Sequence, residues 1–416
     1  MIARNIEAEL HDILSVSRAA ALLGPRQAGK STLAKQIRWS NATPEYLTLD
    51  DDGLRANALS DPAGFIAGVR RPAVIDEVQR APGLMLAIKQ VLDTDSQTPG
   101  QFLLTGSANL VTSRHVADAL PGRVQYVNLW PLSQGEIEGR RESLIDQLLN
   151  GDVPHIANAA RGRIAHAERI IEGGYPDARL LTTSRRRGGF FDSYLEGVIG
   201  RDLPEISGVR TDPARIQQLF RLLAARTSGA VNFQRLGNEL DLNDTTIKAH
   251  LTILEQIYQV FRLRPWSANL GSRQVKTPKF FLTDTGLAAG LIGLDAARYS
   301  AIDQGGIAGM LLETFVVMEL VKQRTWSEQR THLYFYRDNL AREVDVVIES
   351  VSGDIAAVEV KSAATVDRAS TKGLRYLRDK LGSRFKAGVV LYSGEHTLRL
   401  DDRVWAMPIE GLWSGG

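Results

Sequence analysis

Gly24, four residues, Gly29, Lys30 and Ser31 fall in the stretch AAALLGPRQAGKSTLAKQI, between a short apolar run and an apolar helical segment. Residues of these types at this spacing can bind phosphate. Two glycines permit a turn tight enough for successive backbone N–H groups to face one anion, and a helix start adds favourable partial charge. The pattern G-x-x-x-x-G-K-[ST] in a strand–loop–helix setting predicts an ATP site built from Gly24, Pro25, Arg26, Gln27, Ala28, Gly29, Lys30, Ser31 and Thr32. Lys30 is expected to reach the β- and γ-phosphates, and Ser31 to ligate Mg²⁺.

A phosphate loop of this kind needs an acidic strand beside it. RPAVIDEVQR supplies one, an apolar run from Ala73 to Ile75 that ends in Asp76 and Glu77. Asp76 is placed to hold Mg²⁺ through water, and Glu77 to polarise an attacking water. The acid pair therefore points to hydrolysis rather than to nucleotide binding alone; the plainer alternative is a solvated surface pair. GQFLLTGSANL runs out at Thr105, Gly106 and Ser107. Strand ends in parallel sheets face the ligand crevice, so Thr105 or Ser107 is a candidate sensor of the γ-phosphate. With EYLTLDD and VQYVNLWPL there are five strand candidates alternating with helical segments, which implies a parallel sheet covered on both faces.

GPRQAGKST, LTLDD, VIDEVQR, FLLTGSAN, LPGR and WPLS, over about residues 18–137, resemble the prokaryotic AAA+ ATPase family that carries a C-terminal domain of unknown function. The resemblance implies an ATPase that forms a homo-oligomer, a hexamer among the sizes open to it, with sites completed by a neighbouring subunit. Arg123 in LPGR matches a family arginine that could contact a γ-phosphate, and Arg201 in GRDLPEI is its rival. An ordinary salt bridge is the plain alternative for each. Many AAA+ proteins carry Asn at the sensor position, where this chain has Thr105.

With 416 residues the chain has room for two or three domains, and its 44% apolar and 24% charged residues are ordinary for a globular protein. There is no cysteine, which excludes disulfides and thiolate metal sites. MIARNIEAELHDIL reads as a charged amphipathic helix without the apolar run of a signal peptide, and no segment approaches the ~20 apolar residues of a membrane span. These features lead to the expectation of a cytoplasmic protein with no membrane contact.

The net charge of +2 is unevenly spread: Arg179–Lys279 holds 16 basic and 9 acidic side chains. A basic middle suits a polyanion, with a merely solvated basic surface as the alternative. Within it, Phe233 to Leu240 reads as a helix and DLN as a turn. Asp244 or Thr245 is expected to cap a second helix that buries Ile247, Leu251, Leu254 and Ile257. Gln259–Pro265 and Thr277–Leu282 read as a hairpin. Helix, turn, helix and hairpin make a winged helix, exposing Thr246, Lys248, His250 and Thr252 on the second helix. Lys248, Arg273, Lys276 and Lys279 are the candidate DNA contacts, the last three on or near the wing. A structural or protein-binding role is the alternative.

The last part reads α-β-β-β-α-β. GGIAGMLLETFVVMELVKQ carries one acid, Glu313, in an apolar helix; EVDVVIES carries Asp345, and IAAVEVKS carries Glu359 and Lys361 on one strand face. Helix Glu, strand Asp and strand Glu-x-Lys over about 305–395 resemble the acidic site of the restriction-endonuclease-like fold. That resemblance implies Mg²⁺ or Mn²⁺ on Glu313, Asp345 and Glu359, with Lys361 orienting the water.

The expected fold class is α/β: a P-loop AAA+ parallel-sheet domain (1–140), a helical linker or lid (141–225), a winged helix (226–290) and an α/β endonuclease-like domain (300–416). The expected function is an oligomeric ATPase acting on DNA, with branched or junction DNA suggested by analogy. An ATP-switched regulator or antitoxin-like protein and an ATP-gated metal-dependent nuclease are the alternatives.

Overall fold

The computed structural model describes residues 2–39, 42–95, 97–107, 122–159, 162–204, 212–229, 232–269, 277–301 and 306–414, with side chains 162–165 excepted. Arg273 and Lys276 lie outside the described residues.

Five strands, β1 (Ala19–Leu23), β2 (Glu45–Thr48), β3 (Ala73–Asp76), β4 (Phe102–Gly106) and β5 (Val124–Asn128), form one sheet in the order β2-β3-β4-β1-β5. Every pairing is parallel. β1, β3 and β4 are buried along their whole length, which explains why they read as unbroken apolar runs rather than alternating ones. On one face Leu10, Leu14 and Leu33 pack against Ala20, Leu22, Val74 and Leu103. On the other, Leu84, Ile88 and Leu92 of the helix Leu84–Thr94 join the cluster of Ala19, Ala21, Ile75 and Leu104. The expected two-sided parallel sheet is thus the one observed.

A helical region follows, including Ser184–Gly197, which continues into a π-helical turn at Val198–Asp202. The helices Phe233–Leu240 and Asp244–Gln256 form the expected helix–turn–helix. The cap of the second helix differs from the expectation. Asn243, rather than Asp244 or Thr245, accepts the Thr246 N–H at 2.8 Å, because its extended backbone aims the side-chain oxygen at the helix start. Ile247, Leu251, Leu254 and Ile257 are buried, but so is His250, 8% exposed, so it leaves the expected exposed set.

The expected hairpin exists, but it is also part of a larger sheet. β6 (Val260–Pro265) and β7 (Lys279–Leu282) pair antiparallel, and Arg264 and Pro265 of β6 continue in parallel onto Tyr334 and Phe335 of β8 (Thr331–Arg337). With β9 (Glu343–Ser350), β10 (Ile355–Lys361), β11 (Phe385–Tyr392), β12 (Leu398–Asp401) and β13 (Val404–Pro408), the order is β12-β13-β11-β10-β9-β8-β6-β7. The helix Ile307–Gln323 covers one face through Leu312 and Phe315, against Val346, Ile348, Ala356 and Val358. Lys372–Leu381 covers the other through Leu374 and Leu377, against Val347, Ala357 and Val390.

A buried polar joint ties the first sheet's exit to the last part. Glu319 on Ile307–Gln323 accepts the Gln134 N–H at 2.8 Å, and Lys322 donates to Glu319 at 2.7 Å and to the Leu132 carbonyl at 2.9 Å. Among the described residues no helix is long and apolar enough to cross a membrane.

Candidate functional site

The phosphate loop leaves β1 and enters the helix Lys30–Gln36. Its glycines are sterically fixed. A Cβ on Gly24 would stand 2.0 Å from the Leu129 carbonyl oxygen, and Gly29 has φ +98°, a conformation costly for other residues. The Lys30 ammonium is 4% exposed and donates to the Gly24 and Pro25 carbonyls at 2.9 and 2.8 Å. Burial pushes its pKa down, partly opposed by the nearby Glu77, Asp76 and Asp202 carboxylates. A desolvated cation bonded to backbone inside a glycine loop fits a phosphate, whose negative charge would favour the charged lysine.

The sheet order positions the acids. Because β4 lies between β1 and β3, Thr105 emerges beside Asp76, and its hydroxyl donates to Asp76 Oδ1. Ser31 Oγ donates to the same oxygen at 3.1 Å, and Tyr46 Oη on β2 donates to Oδ2 at 2.5 Å. Three hydroxyls from three elements therefore orient one carboxylate that is 3% exposed. Tyr46, whose hydroxyl is held protonated by burial and by Asp76, was not singled out from sequence. Its signal was its place in EYLTLDD, the strand next to the acid strand.

Glu77 sits in the left-handed region, φ +56°, a conformation rare for a non-glycine residue and concentrated at functional sites. Its N–H donates to Thr105 Oγ1 at 3.2 Å. Gln79 Nε2 bridges Glu77 Oε2 at 2.5 Å and Ser107 Oγ at 3.2 Å. Both strand-end hydroxyls thus touch the acid pair, Thr105 at Asp76 and Ser107 through Gln79.

The arginines separate. Arg26, on the loop itself, pairs with Asp202 at 2.8 Å, so the π-helical turn stands against the phosphate loop. Arg201 on the same turn reaches Asp50 at 2.9 Å, the carboxylate that also holds Arg80 at 2.7 Å. Arg123 precedes β5 and is bonded to Asp93; its β5 neighbour Val124 pairs with Ala19, at the opposite end of β1 from the loop. Arg4 donates to the Ala28 carbonyl at 2.7 Å and so buttresses the loop from the N-terminal segment.

In the last sheet, β9 and β10 run antiparallel with Val346 opposite Val358, so Asp345 and Glu359 come side by side. Asp345 accepts the Val360 N–H at 2.8 Å, and Lys361 donates to Glu359 at 2.7 Å. Glu313 joins them through an unexpected residue, Lys279. This lysine is no wing contact: it is 5% exposed, with its ammonium 2.8 Å from Glu313, 2.8 Å from Glu343 and 3.7 Å from Asp345. The hairpin's membership of the large sheet drives its first residue inward. Burial and the charge of Asp345 push Glu313 up to about 7 and Glu359 up to about 8, and burial raises Asp345. Glu313, Asp345 and Glu343 hold Lys279 charged despite its burial. Among the described residues no group of three or more Asp, Glu and His side chains is arranged to hold a metal.

Residues 16–138 match the family model described as an AAA domain. Residues 163–298 and 308–412 match two models described as domains of unknown function, DUF8612 and DUF4143. The chain is 28% identical over 415 residues to an uncharacterized protein of Mycobacterium tuberculosis, covering 99% of this chain and 85% of that one. It is 20% identical over 428 residues to an uncharacterized protein of Methanocaldococcus jannaschii, covering 99% and 91%. Among solved structures, the Walker-type ATPase of Pyrococcus abyssi has a TM-score of 0.41 at 16% identity, over 70% of this chain and 96% of that one. RuvB of Thermotoga maritima has a TM-score of 0.27 at 16% identity, over 63% and 90%. The N-terminal part is accordingly an AAA-type P-loop ATPase domain, joined to further domains.

Proposed function

We propose that this protein hydrolyses Mg²⁺-ATP and passes its nucleotide state to the helical middle, which acts on DNA. The observation that carries the reading is the meeting of Lys30, Ser31, Asp76 and Glu77 beyond the ends of β1 and β3, the two parallel strands that flank β4. Lys30 and the loop amides hold the phosphates, and Glu77 orients and deprotonates water. Ser31 and Asp76 would hold Mg²⁺, which would supply neutralisation of phosphate charge. Thr105 and Tyr46 fix the Asp76 carboxylate, and Gln79 holds Glu77.

The route outward runs through Arg26–Asp202 and Arg201–Asp50, which join the nucleotide side of the sheet to one π-helical turn. Arg201, standing on that side of its own chain, is the better candidate for a γ-phosphate contact within the subunit. Arg123 is left as the candidate for contact with a neighbouring subunit of a homo-oligomer. DNA as target is supported by the basic middle and by the exposed Lys248 on the second helix of the helix–turn–helix. Lys279 is withdrawn from that surface. Cleavage at Glu313, Asp345, Glu359 and Lys361 forms no part of the proposal, because the Lys279 ammonium already stands among Glu313, Glu343 and Asp345.

The test is ATP hydrolysis with Mg²⁺ across no DNA, single strand, duplex, fork and four-way junction, with the products run on a gel. Hydrolysis abolished in Lys30→Ala and stimulated by DNA is expected. Hydrolysis indifferent to every DNA would overturn the choice of target, and no hydrolysis at all would overturn the reading.

A further inference from the structure

We infer that Lys279 is a tethered cation occupying the acidic centre of the last sheet, so that Lys279 and a divalent metal ion compete for the same carboxylates. Its ammonium lies 2.8 Å from Glu313 and Glu343 and 3.7 Å from Asp345, the three-sided oxygen surround a hard cation prefers. The ammonium also lies over the Phe335 ring, 5.4 Å from its centroid.

Two further observations bear on the competition. Four carboxylates, Glu313, Glu343, Asp345 and Glu359, stand with two ammoniums, Lys279 and Lys361, so that acids outnumber the cations beside them. Glu359 Oε2 is also buried without a hydrogen-bond partner, an acceptor left to a ligand.

The lysine has a way out. A cleft of about 670 Å³ is lined by Lys279, Phe335, Arg337, Asn232 and Gln234 among others. Lys279 is the first residue of β7, which is the edge strand of the eight-stranded sheet, so the lysine can leave without opening the sheet interior. The hairpin that brings Lys279 follows directly on the helix–turn–helix. Occupancy of the acidic centre is therefore linked to where that hairpin docks, and a metal-loaded centre and a docked Lys279 exclude each other.

The experiment uses the full chain without nucleotide and Mn²⁺ as probe, followed by electron paramagnetic resonance and by melting temperature. It does not depend on the ATPase reading, since no ATP is present. Lys279→Met keeps the aliphatic stem and removes the charge. It is expected to bind Mn²⁺ at least ~10-fold more tightly than the parent, with a melting temperature that Mn²⁺ raises. Adding Glu313→Gln and Asp345→Asn should erase both gains, while Lys279→Arg should behave as the parent. Lys279→Gln reads the same quantity if the Met variant does not fold. Equal Mn²⁺ binding by parent and Lys279→Met, or no gain in either uncharged variant, would overturn the inference.

Discussion

Arg26 is the residue whose structural partner changes its meaning most. Its place in the phosphate loop suggests an anion contact, yet its guanidinium rests on Asp202 at 2.8 Å, with the two side chains 28% and 6% exposed. A charge-assisted hydrogen bond between partly buried groups contributes about 1.5–3 kcal/mol, and the exposure of Arg26 puts this pair at the lower end, about 1.5 kcal/mol. A double-mutant cycle with Arg26→Ala and Asp202→Asn, read by urea unfolding, should return that coupling without nucleotide. If ATP phosphates draw Arg26 away, saturating Mg²⁺-ATP should reduce the coupling below about 0.5 kcal/mol, a loss of roughly fivefold in the interaction constant. A catalytically impaired background, Glu77→Gln, keeps ATP intact during the measurement. The same coupling with and without ATP would refute the idea that this pair carries nucleotide state, and a coupling near zero in both would refute the pair itself.

Glu77→Gln should lower the hydrolysis rate by about 10²–10⁴-fold while ATP still binds, measured by phosphate release and by nucleotide retention. Tyr46→Phe removes only the hydroxyl on Asp76; it should lower stability by about 1.5–3 kcal/mol and the ATPase rate by about tenfold, and unchanged values in both would contradict the bond. Glu142 gives a pH signature, since burial and the nearby Glu319 raise it to about 7. A carboxyl with a raised folded-state pKa contributes stability that is fully present below its unfolded value, near 4.5, and is lost as pH rises through about 7. The parent should therefore lose up to about 3 kcal/mol across that window relative to Glu142→Gln, in denaturation series at fixed ionic strength.

Much of the first site was legible because its information is local. A glycine-bounded loop between an apolar run and a helix needs only neighbours in sequence, and fully buried parallel strands announce themselves as apolar runs ending in polar residues. The same holds for the second helix, whose 3.6-residue repeat marked Ile247, Leu251, Leu254 and Ile257 for burial. His250 escaped that pattern: it lies at the border of the apolar stripe, where only the packed neighbours decide whether a ring is covered.

The sequence by itself determined the five strands of the first sheet, the two helices and hairpin of the middle and the strands β8 to β11, but not β12 and β13; it also determined where the phosphate loop stands, and that Asp76–Glu77 and the Glu313, Asp345, Glu359, Lys361 set lie at element positions able to converge. Tertiary structure alone decided the partners. Tyr46 meets Asp76 because β2 pairs with β3, Arg26 meets Asp202 across 176 residues, and Lys279 enters an acidic centre because its hairpin joins the last sheet. The physical reason is that periodicity fixes which face of an element is apolar. The identity of the group across a sheet or a domain joint depends on strand order and docking, which depend on the free energy of the whole fold.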